Sequence, residues 1–333
     1  MNSEQRYQFW KTLCSLKGEN LEKDSTTISA VIDYPDFLYR YRPVTVSSID
    51  ALQRNLLFYS NANYYDDPFD TLLHIDFAQI NEFIKDYLLN KFKEEDFFIF
   101  CRSLGISENL IISSLKMIKN LDISDIINEI DDYLKNNIQI LLKENLWSAC
   151  FSERGDNEVM WVKYADQYRG FCVIYYLDDR KKPLSKESEK RENSILSNAE
   201  GSLYPIFYSD EGYDATEYSK LLSIAYMTHF HLPENVATTI IQNLPICNWE
   251  QEKVALIKSK CHEYDQEWRL LYREHPSGQV TQECIPYGVI LGLRMNRNER
   301  LLVIRSAKMA GIEHIFELYI TNEYRLNYRE LRL

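Results

Sequence analysis

The stretch from Cys150 to Gly170, C-F-S-E-R-G-D-N-E-V-M-W-V-K-Y-A-D-Q-Y-R-G, constrains the fold more than any other part of the chain. It joins the end of an apolar strand to a polar turn and then to a helix with Met160, Trp161 and Tyr164 on one face. A second apolar strand, Phe171 to Leu177, follows at once. Asp156 or Asn157 is expected to cap the helix by accepting from its free first-turn N–H groups. Gly170 is expected to end it at positive φ. A strand–turn–helix–strand unit this tight holds polar side chains rigidly beside a core. Ser152, Glu153, Asp156 and Asn157 lie where the first strand leaves it.

The rest of the chain supplies a sheet for that unit to join. Strands are predicted at Phe37–Pro43, Leu57–Ser60, Leu203–Tyr208, Trp268–Tyr272, Gly288–Leu293 and His314–Tyr319, with a short helix to Arg54 capped by Ser47 or Ser48. Ile75 to Glu144 is helical by its apolar spacing: Phe83, Ile84, Tyr87 and Leu88, then Ile126, Ile127, Ile130, Tyr133 and Leu134. More helices are expected between Thr216 and Ser259 and over Asn298–Ala310. The fold class is therefore α+β, a mixed, mainly antiparallel sheet with large helical insertions. Residues 1–36 read as an N-terminal helical lead and 37–325 as one elaborated domain. The insertion at 75–144 and the charged, apolar-poor stretch 178–202, expected to be a mobile loop, both belong to that domain.

Composition narrows the function classes. A net charge of −12 argues against a broad grip on duplex nucleic acid, which needs many cations at phosphates. It leaves room for a local basic pocket. Seven cysteines with no C-x-x-C pair suit free thiols in a reducing cytosol. No apolar run is long enough for a membrane span, so a cytoplasmic protein is expected. The 24 tyrosines fill cores while keeping a polar tip, and they also stack on bases and sugars.

Two strands carry the polar constellation. Leu38, Arg40 and Arg42 share one strand face, with Tyr39 and Tyr41 on the other. Paired arginines aimed alike from a sheet are costly to bury unless an anion meets them, and their planar fork suits carboxylate or phosphate. Trp268 alternates with Glu267 and Arg269, so if it faces the core those two line a polar surface. Arg40, Arg42 and Glu267 are therefore expected to converge on one pocket. Glu267 has a second reading, as the ion-pair partner of Arg269 or Arg40. Asp66, Asp67 and Asp70 with Glu267 suggest a divalent-metal site as an alternative, although Asp66-Asp67-Pro68 is also turn chemistry. His229, His231 and His262 lack a complementary pair at zinc spacing, and no metal is expected. Cys150 and Cys172 read as small buried hydrophobes.

Five segments resemble, in order, the bacterial family called domain of unknown function 2971: L-Y-R-Y-R at Leu38–Arg42, L-F-Y-S-N-A-N-Y-Y-D-D-P-F-D at Leu57–Asp70, the Cys150–Gly170 unit, Y-D-Q-E-W-R-L at Tyr264–Leu270 and I-P-Y-G-V-I-L-G at Ile285–Gly292. A more distant resemblance is to ADP-ribosyltransferases. They too order an Arg- or His-bearing strand, a short helix, a Phe-Tyr-Ser strand and a late strand with Glu. That resemblance implies Arg40 as the residue holding NAD, Ser60, Tyr64 or Ser152 as the element beside nicotinamide, and Glu267 as the catalytic carboxylate. Arg42 and Arg269 join the nucleotide-binding set. Gln266 directly precedes Glu267, whereas the superfamily's common form has one residue between them. The implied protein is an NAD-using enzyme with a protein or nucleic-acid acceptor, of the kind that serves bacteria as a toxin or anti-phage defence effector. The alternatives are a non-catalytic ligand- or partner-binding module and a metal-dependent nuclease.

Overall fold

The computed structural model describes residues 1–18, 20–65, 67, 69–88, 94–120, 122–144, 146–177, 202–244, 249–272 and 280–331. Most of the predicted mobile loop, 178–201, lies outside them, as do Asp66 and Pro68. The strands are β1 Phe37–Arg42, β2 Leu56–Phe58, β3 Ser60–Asn61, β4 Leu73–His74, β5 Trp147–Ser152, β6 Phe171–Tyr176, β7 Ser202–Pro205, β8 Phe207–Ser209, β9 Tyr213–Asp214, β10 Ile257–Ser259, β11 Glu267–Tyr272, β12 Thr281–Glu283, β13 Gly288–Leu291, β14 His314–Ile320 and β15 Leu326–Glu330. The helices used below are α1 Ser3–Ser15, α2 Leu21–Ser29, α3 Val46–Gln53, α4 Phe77–Asp86, α5 Glu94–Ser103, α6 Glu108–Lys119, α7 Ile123–Glu144 and α8 Glu158–Tyr164.

Among the described residues, nine strands form one sheet, in the order β15-β14-β13-β6-β1-β5-β11-β7, with β3 also on β5. Only the β13–β14 pairing in it is parallel. The fold is α+β, with a mixed, mainly antiparallel sheet. The helices predicted over 75–144 are α4 to α7, and the buried stripe Ile126, Ile130, Leu134, Ile138 and Leu142 of α7 packs with Ile80 and Ile84 of α4. This stripe repeats every three to four residues, as an amphipathic helix requires. The main core lies on one sheet face. Phe9 and Leu13 of α1 enter it, together with Leu38, Phe151, Trp268 and Leu270. A second, smaller core on the opposite face joins Tyr39, Tyr41, Trp161, Cys172 and Ile290.

The structure corrects several local expectations. Asn157 is the cap of α8, its side chain accepting from Val159 N and Met160 N. That helix stops at Tyr164, and Asp166, Gln167 and Tyr168 carry the positive φ angles (45°, 52° and 71°) expected of Gly170. Gly170 is needed for close approach instead: a Cβ there would lie 2.2 Å from the Arg42 carbonyl oxygen. Thr45, not Ser47 or Ser48, caps α3, in a capping box with Ser48. The predicted strand at 203–208 is two: β7 closes the large sheet, and β8 pairs in parallel with β10 in a separate ribbon. The strand β15 at the sheet edge was not expected from the sequence.

Candidate functional site

A parting of the sheet creates the site. β1 pairs fully with β6 from Phe37 to Arg42, but it meets β5 only at Tyr39–Ser152. Beyond that point β3 occupies β5 instead, through Ser60–Ser148 and Asn61–Trp147. The Arg40–Arg42 end of β1 therefore has no strand on that side. The gap opens a cleft of about 220 Å³, whose lining includes Arg40, Arg42, Ser60, Tyr64, Glu267 and Arg269. Tyr65, Tyr164 and Met160 add an aromatic and apolar wall.

The two arginines are poorly matched within the protein. The alternation of β1 puts Leu38 into the main core, and Arg40 and Arg42 follow on the same face where that core ends. Arg40 Nη2 donates to the Phe58 carbonyl at 2.7 Å, and its guanidinium stands 5.8 Å from the centre of the Phe151 ring. Arg42 has no side-chain hydrogen bond or ion pair to any described residue, and neither arginine meets a carboxylate there. Burial pulls both below the ordinary arginine pKa, and Arg40 adds to the effect at Arg42. A guanidinium does not shed its proton at neutral pH, so the cost appears as a demand for an anion.

Across the cleft the charges are closely matched. Glu267 Oε1 accepts from Arg269 Nε at 2.7 Å, and Oε2 accepts from Lys258 Nζ at 2.8 Å. Lys258 also donates to Asp265 Oδ2 at 3.0 Å, and Arg269 Nη2 to Asp70 Oδ2 at 2.5 Å. Arg269 Nη1 donates to the Ala255 carbonyl at 2.7 Å, and the guanidinium lies 4.8 Å over the Tyr65 ring. Burial alone would raise the Glu267 pKa, but Arg269 and Lys258 outweigh it and hold the carboxylate well below its usual range. The same carboxylates hold Lys258 and Arg269 charged against burial. Asp265 moves the other way: burial raises it despite Lys258. Asp70 Oδ1 and Asp265 Oδ1 are buried with no hydrogen-bond partner among the described residues. Such oxygens suit a donor arriving from the cleft.

Arg40, Arg42, Ser60, Tyr64, Glu267 and Arg269 all line this cleft, but not from one sheet face as expected. The register puts Arg40 and Arg42 on the face of Leu38, Phe151 and Trp268, and Glu267 and Arg269 on the opposite face with Tyr39, so they meet only where the sheet parts. Tyr64 stands at the mouth, 81% exposed. Trp268 is in the main core, so the alternation that put Glu267 and Arg269 on a common polar face holds. Ser152 does not belong to the cleft. It is fully buried, and its hydroxyl donates to the Asp265 carbonyl at 2.7 Å because the turn between β10 and β11 closes over it. Asp67 and Asp70 point to different partners. Asp67 Oδ2 lies 3.0 Å from His262 Nε2, and Asp70 serves Arg269. Among the described residues, no group of three or more His, Cys, Asp or Glu is arranged to hold a metal ion. Cys150 lines the cleft, with its thiol pushed up to about 11, chiefly by burial and then by Glu267.

Sequence reasoning missed Lys258 and Asp265. Asp265 could not be reached by alternation, because it ends a 3-10 turn and Gln266, at φ 44°, breaks the strand pattern before β11 begins at Glu267. Lys258 gave no signal either, since β10 is only three residues long and reaches the cleft through its pairing with β8.

No curated protein matches the chain, and no solved structure matches it. Among the described residues, no helix is long and apolar enough to cross a membrane. One family model does match, over a segment that contains Lys258, Asp265, Glu267 and Arg269 but neither β1 arginine: the family described as protein of unknown function (DUF2971) covers residues 160–270 of the 333.

Proposed function

We propose that the cleft binds an anionic nucleotide through Arg40 and Arg42, and that the nucleotide is NAD, used in an ADP-ribosyltransferase-like reaction. One observation carries the nucleotide reading: two half-buried arginines share a cleft with tyrosine rings, and neither finds a carboxylate among the described residues. A phosphate oxygen accepts from such a fork, and each charge-assisted hydrogen bond contributes about 1.5–3 kcal/mol. The tyrosine rings suit the planar ends of the same ligand.

In the transfer itself, the bond between the ribose carbon and nicotinamide breaks and nicotinamide leaves with the bonding pair. An acceptor nucleophile forms the new bond to that carbon and gives up a proton. The ribosyl carbon is cationic in between, and a fixed negative field lowers its energy. Glu267 would supply that field as part of a cluster of three carboxylates and two cations, Asp70, Asp265 and Glu267 against Lys258 and Arg269.

A second reading, a binding module without catalysis, draws on a specific observation. Both Glu267 oxygens already accept from internal cations, which weakens the field that they present to a ligand. Incubation of the protein with NAD and cell extract separates the two. Release of nicotinamide by the wild type, lost in Arg42→Met, supports the transferase. NAD binding without turnover supports the module. No NAD binding at all ends the nucleotide reading.

A further inference from the structure

Arg40, Arg42 and Ser60 line a second cavity as well as the first. This one, of about 450 Å³, runs behind β1 between α3 and β6. Its walls differ in kind. Thr45, Ser47 and Ser48 present hydroxyls from the first turn of α3, and Val173 and Tyr175 of β6 form an apolar side. No carboxylate lines it among the described residues, whereas Asp67, Asp70, Asp265 and Glu267 line the first. An anion held on the arginine pair therefore has open space on both sides, acidic on one and uncharged on the other.

Resting on the nucleotide reading above, we infer that the ligand is two-armed: a pyrophosphate on Arg40 and Arg42, with one nucleoside arm in each cavity. A mononucleotide fills one cavity and leaves the other to water. The four acids of the first cavity, Asp67, Asp70, Asp265 and Glu267, face Lys258 and Arg269 and favour a neutral or positively charged arm there. The hydroxyl and apolar walls of the second take an uncharged arm. The Arg40 and Arg42 side chains, standing on one strand face, form the waist between the two.

The test blocks each cavity in turn and measures NAD and AMP binding by calorimetry. Ala51→Phe fills the second cavity from α3, and Met160→Trp crowds the first from α8. Each block is expected to weaken NAD at least tenfold, while AMP, with a single arm, is weakened by only one of them. If Ala51→Phe lowers the melting temperature, Ser47→Trp replaces it, because Ser47 is an exposed residue of the same cavity. Weakening of NAD by one block only overturns the two-armed ligand and leaves the nucleotide reading standing. If neither NAD nor AMP binds the wild type, both are overturned.

Discussion

The two walls of the cleft each carry two cations on strands of one sheet or its adjoining ribbon, yet they are treated in opposite ways. Lys258 and Arg269 meet Asp70, Asp265 and Glu267, and nearly every donor is satisfied internally. Arg40 and Arg42 meet one backbone carbonyl and two tyrosine- and phenylalanine-lined cavities. The first arrangement is complete without a ligand, so disturbing it costs stability. The second is incomplete, so disturbing it costs binding. Lys258 and Arg269 are buried and Arg40 and Arg42 half-buried, but the decisive contrast lies in their partners. The difference is the presence or absence of protein carboxylates, and it separates structural charges from charges held ready for a partner.

The largest effect is expected on the complete wall. Glu267→Gln strands Arg269 and Lys258, and loss of one member of a buried pair typically costs about 3–5 kcal/mol. Urea unfolding should show that loss. A variant as stable as the wild type would mean that the cations repair themselves, and it would blur the contrast. The acid limb tests the same wall. The folded Glu267 titrates below its unfolded value of about 4.3. Its stabilisation is therefore full above that value and is lost as pH falls through the lower folded one. Asp265, raised by burial, has the opposite sign, and its cost is relieved as pH falls through its raised value. Unfolding free energy measured against pH should fall on the acid side in the wild type and run flatter in Glu267→Gln.

Gly170→Ala is expected to cost about 1–3 kcal/mol, the usual range for overpacking. The added methyl would meet the Arg42 carbonyl and push the open end of β1. If the arginine pair is a binding device, affinity for the nucleotide should fall as well; a stability loss with unchanged binding would separate β1's backbone from the site.

The fold was largely legible, because strand alternation and helical spacing are local patterns. The face shared by Glu267 and Arg269 could be read for that reason, and so could the stripe of α7. Ser152 shows where such reading ends. Its strand parity matches that of Ser148 and Cys150, which do line the cleft, but a turn that holds Asp265, 113 residues later in the chain, covers it. Lys258 shows the same limit from the other side, since its partners depend on how a three-residue strand docks. The family resemblance pointed to β1 and β11 together. It could not show that the sheet parts between β1 and β5, because that parting depends on β3 taking β5's edge.

The smallest stability effect is expected for Ser152→Ala, which removes a hydrogen bond to the Asp265 carbonyl and a longer one from Arg154 N, and should cost about 1–2 kcal/mol with nucleotide binding unchanged. A large loss of binding there would return Ser152 to the site.

The most direct test of the contrast is a calorimetric titration of NAD into the wild type and Arg42→Met, with the melting temperature of each recorded. Met fills similar volume without charge, and Arg42 gives up no internal hydrogen bond among the described residues. The predicted result is saturable binding to the wild type, binding at least tenfold weaker in the variant, and a variant melting at the same temperature or higher. Equal binding in both proteins, or a variant that melts well below the wild type, would show that Arg42 is a structural charge like those on the opposite wall.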